Sequence, residues 1–301
     1  RVYLVFIVVF VRFVMKRFYL SVLFLCSFGS LFAGGPSFAF CDYSQGKVFI
    51  QENGEIVWEH KAPDSNDIWV LPNKNILFTA GKEVLEVSRK NDTIFHYTSE
   101  SNIFACQRLK NGNTFIGECD NGRLLEVSPD GSIVKDVSIL PFGVKTGGHA
   151  FMRNARCLDN GHYLVAHYGG KSVVEYDENG KAVWNIPISG GAHSVIRLPS
   201  GNTLVAVTDK DNNPGVFEYD MAGNIVWSLT NKDLPGTLKF AGGMHYLSDG
   251  RLFLTNWVGH VDAKNPVHLL VIDKLSKKVL YKVSDRNEIK TMSSVFALDA
   301  L

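Results

Sequence analysis
From residue 37 onward, short apolar runs alternate with clusters of Asn, Asp, Ser and Gly. One phrase recurs: an apolar strand, a polar turn and a second apolar strand. It stands at 68–79 (IWVLPNKNILFT), 106–117 (CQRLKNGNTFIG), 155–166 (ARCLDNGHYLVA), 194–206 (SVIRLPSGNTLVA) and 244–255 (MHYLSDGRLFLT). Each copy carries an anchor leucine before its turn: Leu71, Leu109, Leu158, Leu198 and Leu247. A second phrase follows the first four copies, at 84–97 (VLEVSRKNDTIFHY), 124–137 (LLEVSPDGSIVKDV), 173–186 (VVEYDENGKAVWNI) and 216–229 (VFEYDMAGNIVWSL). The fifth, LLVIDKLSKKVLYKV at 269–283, lacks the glycine.

Each unit predicts four short strands, A to D, with tight turns at A–B and C–D. Asn-Gly and Asp-Gly stand where two-residue hairpins need positive φ. Repeats of roughly 40–50 residues built from such strands predict propeller blades rather than a sandwich. At the ends, SVFALD (294–299) matches the strand A of SVIRLP (194–199), and residues 37–60 supply SFAFCDY, KVFIQ and EIVWEH as strands B, C and D. Pairing the last strand with the first three closes an all-β ring of six four-stranded antiparallel blades, which removes the exposed edges of an open array.

The propeller is assigned to residues 34–301, and residues 1–33 are set apart as a leader. Residues 15–33 (MKRFYLSVLFLCSFGSLFA) have a start Met, two bases, an apolar stretch and small residues. That is the pattern of a secretory signal cleaved after Ala33, so a secreted or periplasmic protein is expected. Bulky Leu25 before Cys26 argues against a lipid anchor. Residues 1–14 precede Met15 and read as sequence ahead of the true start. Arg12, Lys16 and Arg17 interrupt every window long enough to span a bilayer, so no stable membrane span is expected.

The chain balances 31 Lys+Arg against 30 Asp+Glu, but the leader holds Arg1, Arg12, Lys16 and Arg17 and no acid. The remaining body is therefore slightly acidic, which excludes the basic footprint of a nucleic-acid binder. The leader aside, Cys41, Cys106, Cys119 and Cys157 include no CxxC pair, so a zinc or redox site is not expected. Buried free thiols are the expectation, with a Cys106–Cys119 bridge as the alternative. No cofactor or metal is expected: 209–213 (DKDNN) resembles half a calcium loop but lacks its Gly and its Glu. A monomer is expected.

The C–D phrase resembles the repeat of quinoprotein-like (PQQ-like) β-propellers. Val174, Asp177, Gly180, Lys181 and Trp184 match that pattern residue by residue. Val216, Asp220, Gly223 and Trp227 match it nearly as well, and Gly54 and Trp58 echo it. The resemblance covers essentially all of 37–301 and implies a secreted, single-domain bacterial propeller; these motifs specify a turn and a packing Trp. Quinone-dependent alcohol oxidation is not implied, because those enzymes have eight blades and an adjacent cysteine pair. A weaker resemblance, to arylsulfotransferase-type propellers, rests on His193 ahead of a strand A.

In a propeller the D–A connections and B–C loops share one face around the central channel. Candidate residues there are Asn66, Asp67, His149, Arg153, Asn154, His193, His245, Ser293 and Ser294 from the D–A side. The B–C side adds Glu118, Asp120, His167, Tyr168, Asp209, Asn256, Trp257 and His260. The segment 147–156 (GGHAFMRNAR) places His149, Arg153 and Arg156 close together. Arginine beside histidine holds a carboxylate or sulfate while the imidazole moves a proton. The sequence thus predicts His149, His193 and His260 as catalytic. It gives Asn66, Asp67, Arg153, His167, Tyr168, His245 and Trp257 substrate contacts, with Tyr168 or Trp257 stacking on a sugar. The expected function is action on a carbohydrate or another small anionic substrate, with lyase, hydrolase and transferase chemistry all open. The alternative is a non-catalytic glycan- or protein-binding scaffold; a third reading, an oxidoreductase, requires a bound chromophore.

Overall fold
The computed structural model describes residues 34–140, 148–208, 213–259, 266–284 and 288–300; the leader and His260 lie outside them. The first three strands are β1 (Phe38–Asp42), β2 (Lys47–Glu52) and β3 (Glu55–Lys61). Four complete blades follow: β4 (Ile68–Val70) to β7 (Thr93–Thr98), β8 (Ile103–Arg108) to β11 (Ile133–Ser138), β12 (Asn154–Cys157) to β15 (Ala182–Pro187), and β16 (Gly191–Arg197) to β19 (Ile225–Thr230). The next blade runs from β20 (Ala241–Tyr246) to β23 (Lys278–Ser284), and β24 (Met292–Ala297) ends the ring. A four-residue helix, α1 (Gly148–Phe151), precedes β12.

All six sheets are four-stranded and antiparallel, and one of them runs β24-β1-β2-β3. Closure therefore occurs as the repeat requires, with Phe38 opposite Ala297 and Phe40 opposite Val295. Apolar residues on both strand faces let neighbouring blades stack: Ile50 and Trp58 of the closing blade share a core with Ile76, Phe78 and Val87 of the next. Among the described residues no helix is long and apolar enough to cross a membrane.

The turns differ from the expected two-residue form. Among the described A–B and C–D turns, Asn53-Gly54, between paired Glu52 and Glu55, has that geometry, with φ of 51° and 88°. The five A–B turns from Leu71 to Leu247, and the C–D turns of the four blades after the closing one, are three-residue loops, each with one left-handed residue. At Leu109–Asn113, Leu109 N–H donates to the Asn113 carbonyl and Gly112 N–H to the Leu109 carbonyl, with Gly112 at φ 88°. A type I turn followed by one residue at positive φ satisfies the strand twist as well as a two-residue turn does. In the fifth copy the C–D loop has four residues, between paired Asp273 and Lys278, and Lys277 at φ 58° takes its left-handed position. The Asp of the C–D phrase has its own reason: Asp177 Oδ1 accepts from the N–H groups of Asn179 and Lys181.

Strand C carries a glutamate in four copies: Glu86, Glu126, Glu175 and Glu218. Three of them clamp the A–B turn of their own blade and a cation elsewhere. Glu86 accepts from Asn75 and Arg108, Glu175 binds His162 and Arg197, and Glu218 binds Asn202 and Lys274. The cations also lie over the strand D aromatics, with Arg197 4.6 Å from the Trp184 ring centroid and Lys274 5.0 Å from that of Trp227. Arg108→Met strips a nearly buried glutamate of its cation and should cost about 2 kcal/mol in denaturant unfolding. Lys110→Met, which removes only the exposed pair with Asp159, should cost no more than about 0.5 kcal/mol.

Candidate functional site
Counting back from the anchor leucine shows how strand A lines the channel. Five residues before it stand Asn66, Phe104, Arg153, His193 and Gly242; two residues before it stand Trp69, Gln107, Arg156, Ile196 and His245. Leu298 is the matching anchor of the closing strand and adds Ser293 and Phe296. The first set belongs to the D–A end of the channel and the second to the A–B end. Contacts run within each tier: Arg153 with Phe104 and His193, and Trp69 with Phe296 and Arg156.

At the D–A mouth, Arg153 Nε donates to His193 Nε2 at 3.1 Å, and its guanidinium lies 4.8 Å from the Phe104 ring centroid. His193 is buried. Burial, with Arg153 and His149 nearby, holds its imidazole well below the ordinary histidine value, so it is neutral. Since Nε2 accepts, the proton sits on Nδ1, which is buried and has no hydrogen-bond partner among the described residues. Burial also pulls the Arg153 guanidinium down to about 10, and no carboxylate among the described residues pairs with it. Arg153 therefore stays cationic at neutral pH, with no carboxylate counter-ion among the described residues.

Aromatic rings surround this cation. His149 packs edge-on against Phe104 and Tyr168, at 6.5 and 5.8 Å between centroids. Phe240 packs edge-on against both His193 and Trp257. Tyr168 is fixed by a 3.0 Å hydrogen bond from Thr208 Oγ1, and Tyr43 lies within electrostatic reach of Arg153. Helix α1 sets His149 in place, because Gly148 N–H donates to Asp120 Oδ1 at 2.7 Å.

The structure thus brings together His149, Arg153, His193, Tyr168 and Trp257, and it separates other candidates from them. His167 is fully buried in its blade, with Nδ1 on the Phe151 carbonyl and Nε2 on the Tyr176 hydroxyl, both at 2.7 Å. Asp67 is held bidentately by Arg156 at 2.7 and 2.9 Å and also accepts from Cys106 N–H. Asn66 is buried and donates to the Asp64 carbonyl. His245 lies in the other tier, so the expected gathering of five histidines at one mouth reduces to His149 and His193 among the described residues. His260 and Asp209 fall outside the described residues.

Most polar B–C residues brace the D–A connection instead of facing a ligand. Asp120 accepts from Asn102 N–H, and Asn256 Oδ1 accepts from the N–H groups of Lys239 and Phe240. Glu118 accepts from Tyr97 and Ser99. Phe104, Phe240 and Tyr43 also belong to this mouth without standing among the sequence candidates; for Phe104, its offset from the anchor leucine is the signal in the sequence. The four cysteines among the described residues are free, without the Cys106–Cys119 bridge. Among the described residues no three His, Cys, Asp or Glu are placed to hold a metal.

The buried histidines give the fold an acid limit. Burial lowers His167 to about 4, against about 6.5 when unfolded. Between those values the unfolded chain binds the extra proton, so stability present above pH 6.5 is lost as pH falls toward 4. The full loss from His167 is about 3 kcal/mol. The urea midpoint should fall from pH 7.5 to pH 5, and fall less in His167→Gln.

No family model and no curated protein sequence matches the chain. Solved structures do. A protein of unknown function from Bacteroides caccae superposes with TM-score 0.77 at 23% identity, covering 87% of this chain and 98% of that one. A streptogramin B lyase gives TM-score 0.59 at 15% identity over 90% of both chains. A catalytically inactive virginiamycin B lyase from Staphylococcus aureus, with quinupristin, gives 0.54 at 14% identity over 86% of this chain and 87% of that one. At these identities the likeness shows the fold, a six-bladed β-propeller.

Proposed function
We propose that the protein takes a small organic anion, a carbohydrate acid or a similar ring-bearing carboxylate or sulfate, into the D–A mouth and acts on it there. The observation that carries this reading is Arg153, a half-buried cation without a carboxylate partner among the described residues. A bound anion supplies the missing charge, and a guanidinium fork accommodates two anionic oxygens. Neutral His193 fixes one edge of that fork. Phe104, Tyr168, Phe240 and Trp257 offer ring faces to the body of the ligand. His149, at the edge of the mouth, is the proton carrier in this reading.

The similarity to a lyase fold agrees with proton chemistry at such a mouth but assigns neither that reaction nor its substrate to this chain. The test pairs acids with their neutral amides. Wild type is incubated with D-glucuronate or D-glucuronamide, with phenylacetate or phenylacetamide, and with acidic oligosaccharides, and both binding and products are followed. Acids should bind and amides should not, and His149→Ala should bind normally while any conversion drops at least 100-fold. Binding without conversion in wild type establishes the scaffold reading; amides binding as well as acids refutes the anion site.

A further inference from the structure
The A–B end of the channel opens into a cavity of about 780 Å³ that the anion site does not use. Its volume falls in the range of small-molecule sites. One wall is an aromatic panel from three separate strands. The His245 ring stacks on Phe296 at 4.3 Å between centroids, and Phe296 meets Trp69 at 5.7 Å. Elsewhere in the lining, Leu158, Ile196, Leu198 and Met221 supply aliphatic and thioether surface.

The panel is fixed before any ligand arrives. Trp69 Nε1 donates to the Cys106 carbonyl at 2.6 Å, and the Arg156 guanidinium lies 5.1 Å from the Trp69 ring centroid. Ala297 N–H donates to His245 Nδ1 at 2.8 Å. That bond fixes the tautomer: in the neutral ring the proton belongs to Nε2, which has no protein acceptor among the described hydrogen bonds. Burial and Arg156 keep the ring neutral at ordinary pH. Each charged group along the lining has a partner: Arg156 pairs with Asp67, Arg197 with Glu175, and the exposed Asp159 with Lys110. The cavity therefore calls for neither an anion nor a cation. It offers a stacking surface, apolar walls and one oriented N–H donor.

We propose that this cavity is a second ligand site, for a flat, uncharged heteroaromatic molecule whose ring acceptor takes a hydrogen bond from His245 Nε2. The two mouths then sort ligands by charge, an anion at Arg153 and a neutral ring at His245. The inference rests on the far tier alone and stands whether or not the anion reading survives.

Quinoline and naphthalene test it, since they share shape and differ by the ring acceptor. Equilibrium dialysis of the intact protein at pH 7.5 should show quinoline binding at least fivefold tighter than naphthalene. His245→Phe should erase that difference and keep naphthalene binding. Met221→Trp, placed on an exposed side chain at the cavity rim, should weaken both probes at least tenfold without relying on a buried change. Arg153→Met should leave both unchanged. Equal affinity for the two probes, a Met221→Trp protein that binds normally, or loss of binding in Arg153→Met each overturns the assignment.

Discussion

Arg153→Met should yield a protein that is more stable than the parent and unable to hold an anion. Burial disfavours the charged guanidinium by lowering its proton affinity to about 10, and no carboxylate among the described residues offsets this. Methionine retains apolar contact with the Phe104 ring and carries no charge to desolvate. The expected gain is about 1–3 kcal/mol in denaturant unfolding. Opposite signs for stability and binding distinguish a ligand-holding group from a structural one, because a residue that braces the fold loses stability when replaced. Arg153→Met that is less stable than wild type contradicts this account of the mouth.

Asp67→Asn should have the largest effect on the fold itself. Asp67 is 1% exposed and joins the second blade to Arg156 of the fourth, across the first strand of the blade between them. Removing its charge leaves the Arg156 guanidinium above Trp69 with no carboxylate among its described partners, and breaking such a pair costs about 3–5 kcal/mol. The double replacement Asp67→Asn with Arg156→Met removes both charges and should recover more than half of that loss. A single mutant within 1 kcal/mol of wild type in urea unfolding contradicts the role assigned to the pair.

The ring was legible because its signals are local and obligatory. Gly112, Gly161, Gly201 and Gly250 stand where the A–B turn demands positive φ, and their spacing counts the blades. Closure was legible because the last strand copies SVIRLP and the first three lack a strand A of their own. The candidate site was legible only in part. Connectivity tells which end of the channel a segment approaches, but not how deep a residue lies or which way its side chain points. His193 and His245 both lie in strand A, yet they stand five and two residues before their anchor leucines and so open onto opposite ends. His167, at the end of β13, and Asp120, in a B–C loop, stand at the correct end but bind their neighbours, because a D–A connection crossing the mouth needs partners for its backbone.

The most direct test of the central claim is the difference in affinity between an acid and its isosteric amide, measured by calorimetry in wild type and in Arg153→Met. A charge-assisted hydrogen-bond pair to a guanidinium corresponds to a preference of roughly 10- to 100-fold. Phenylacetate or glucuronate should bind wild type at least tenfold tighter than the matching amide, and the preference should vanish in Arg153→Met. Equal affinity of acid and amide for wild type, or a preference that persists without Arg153, would contradict the claim.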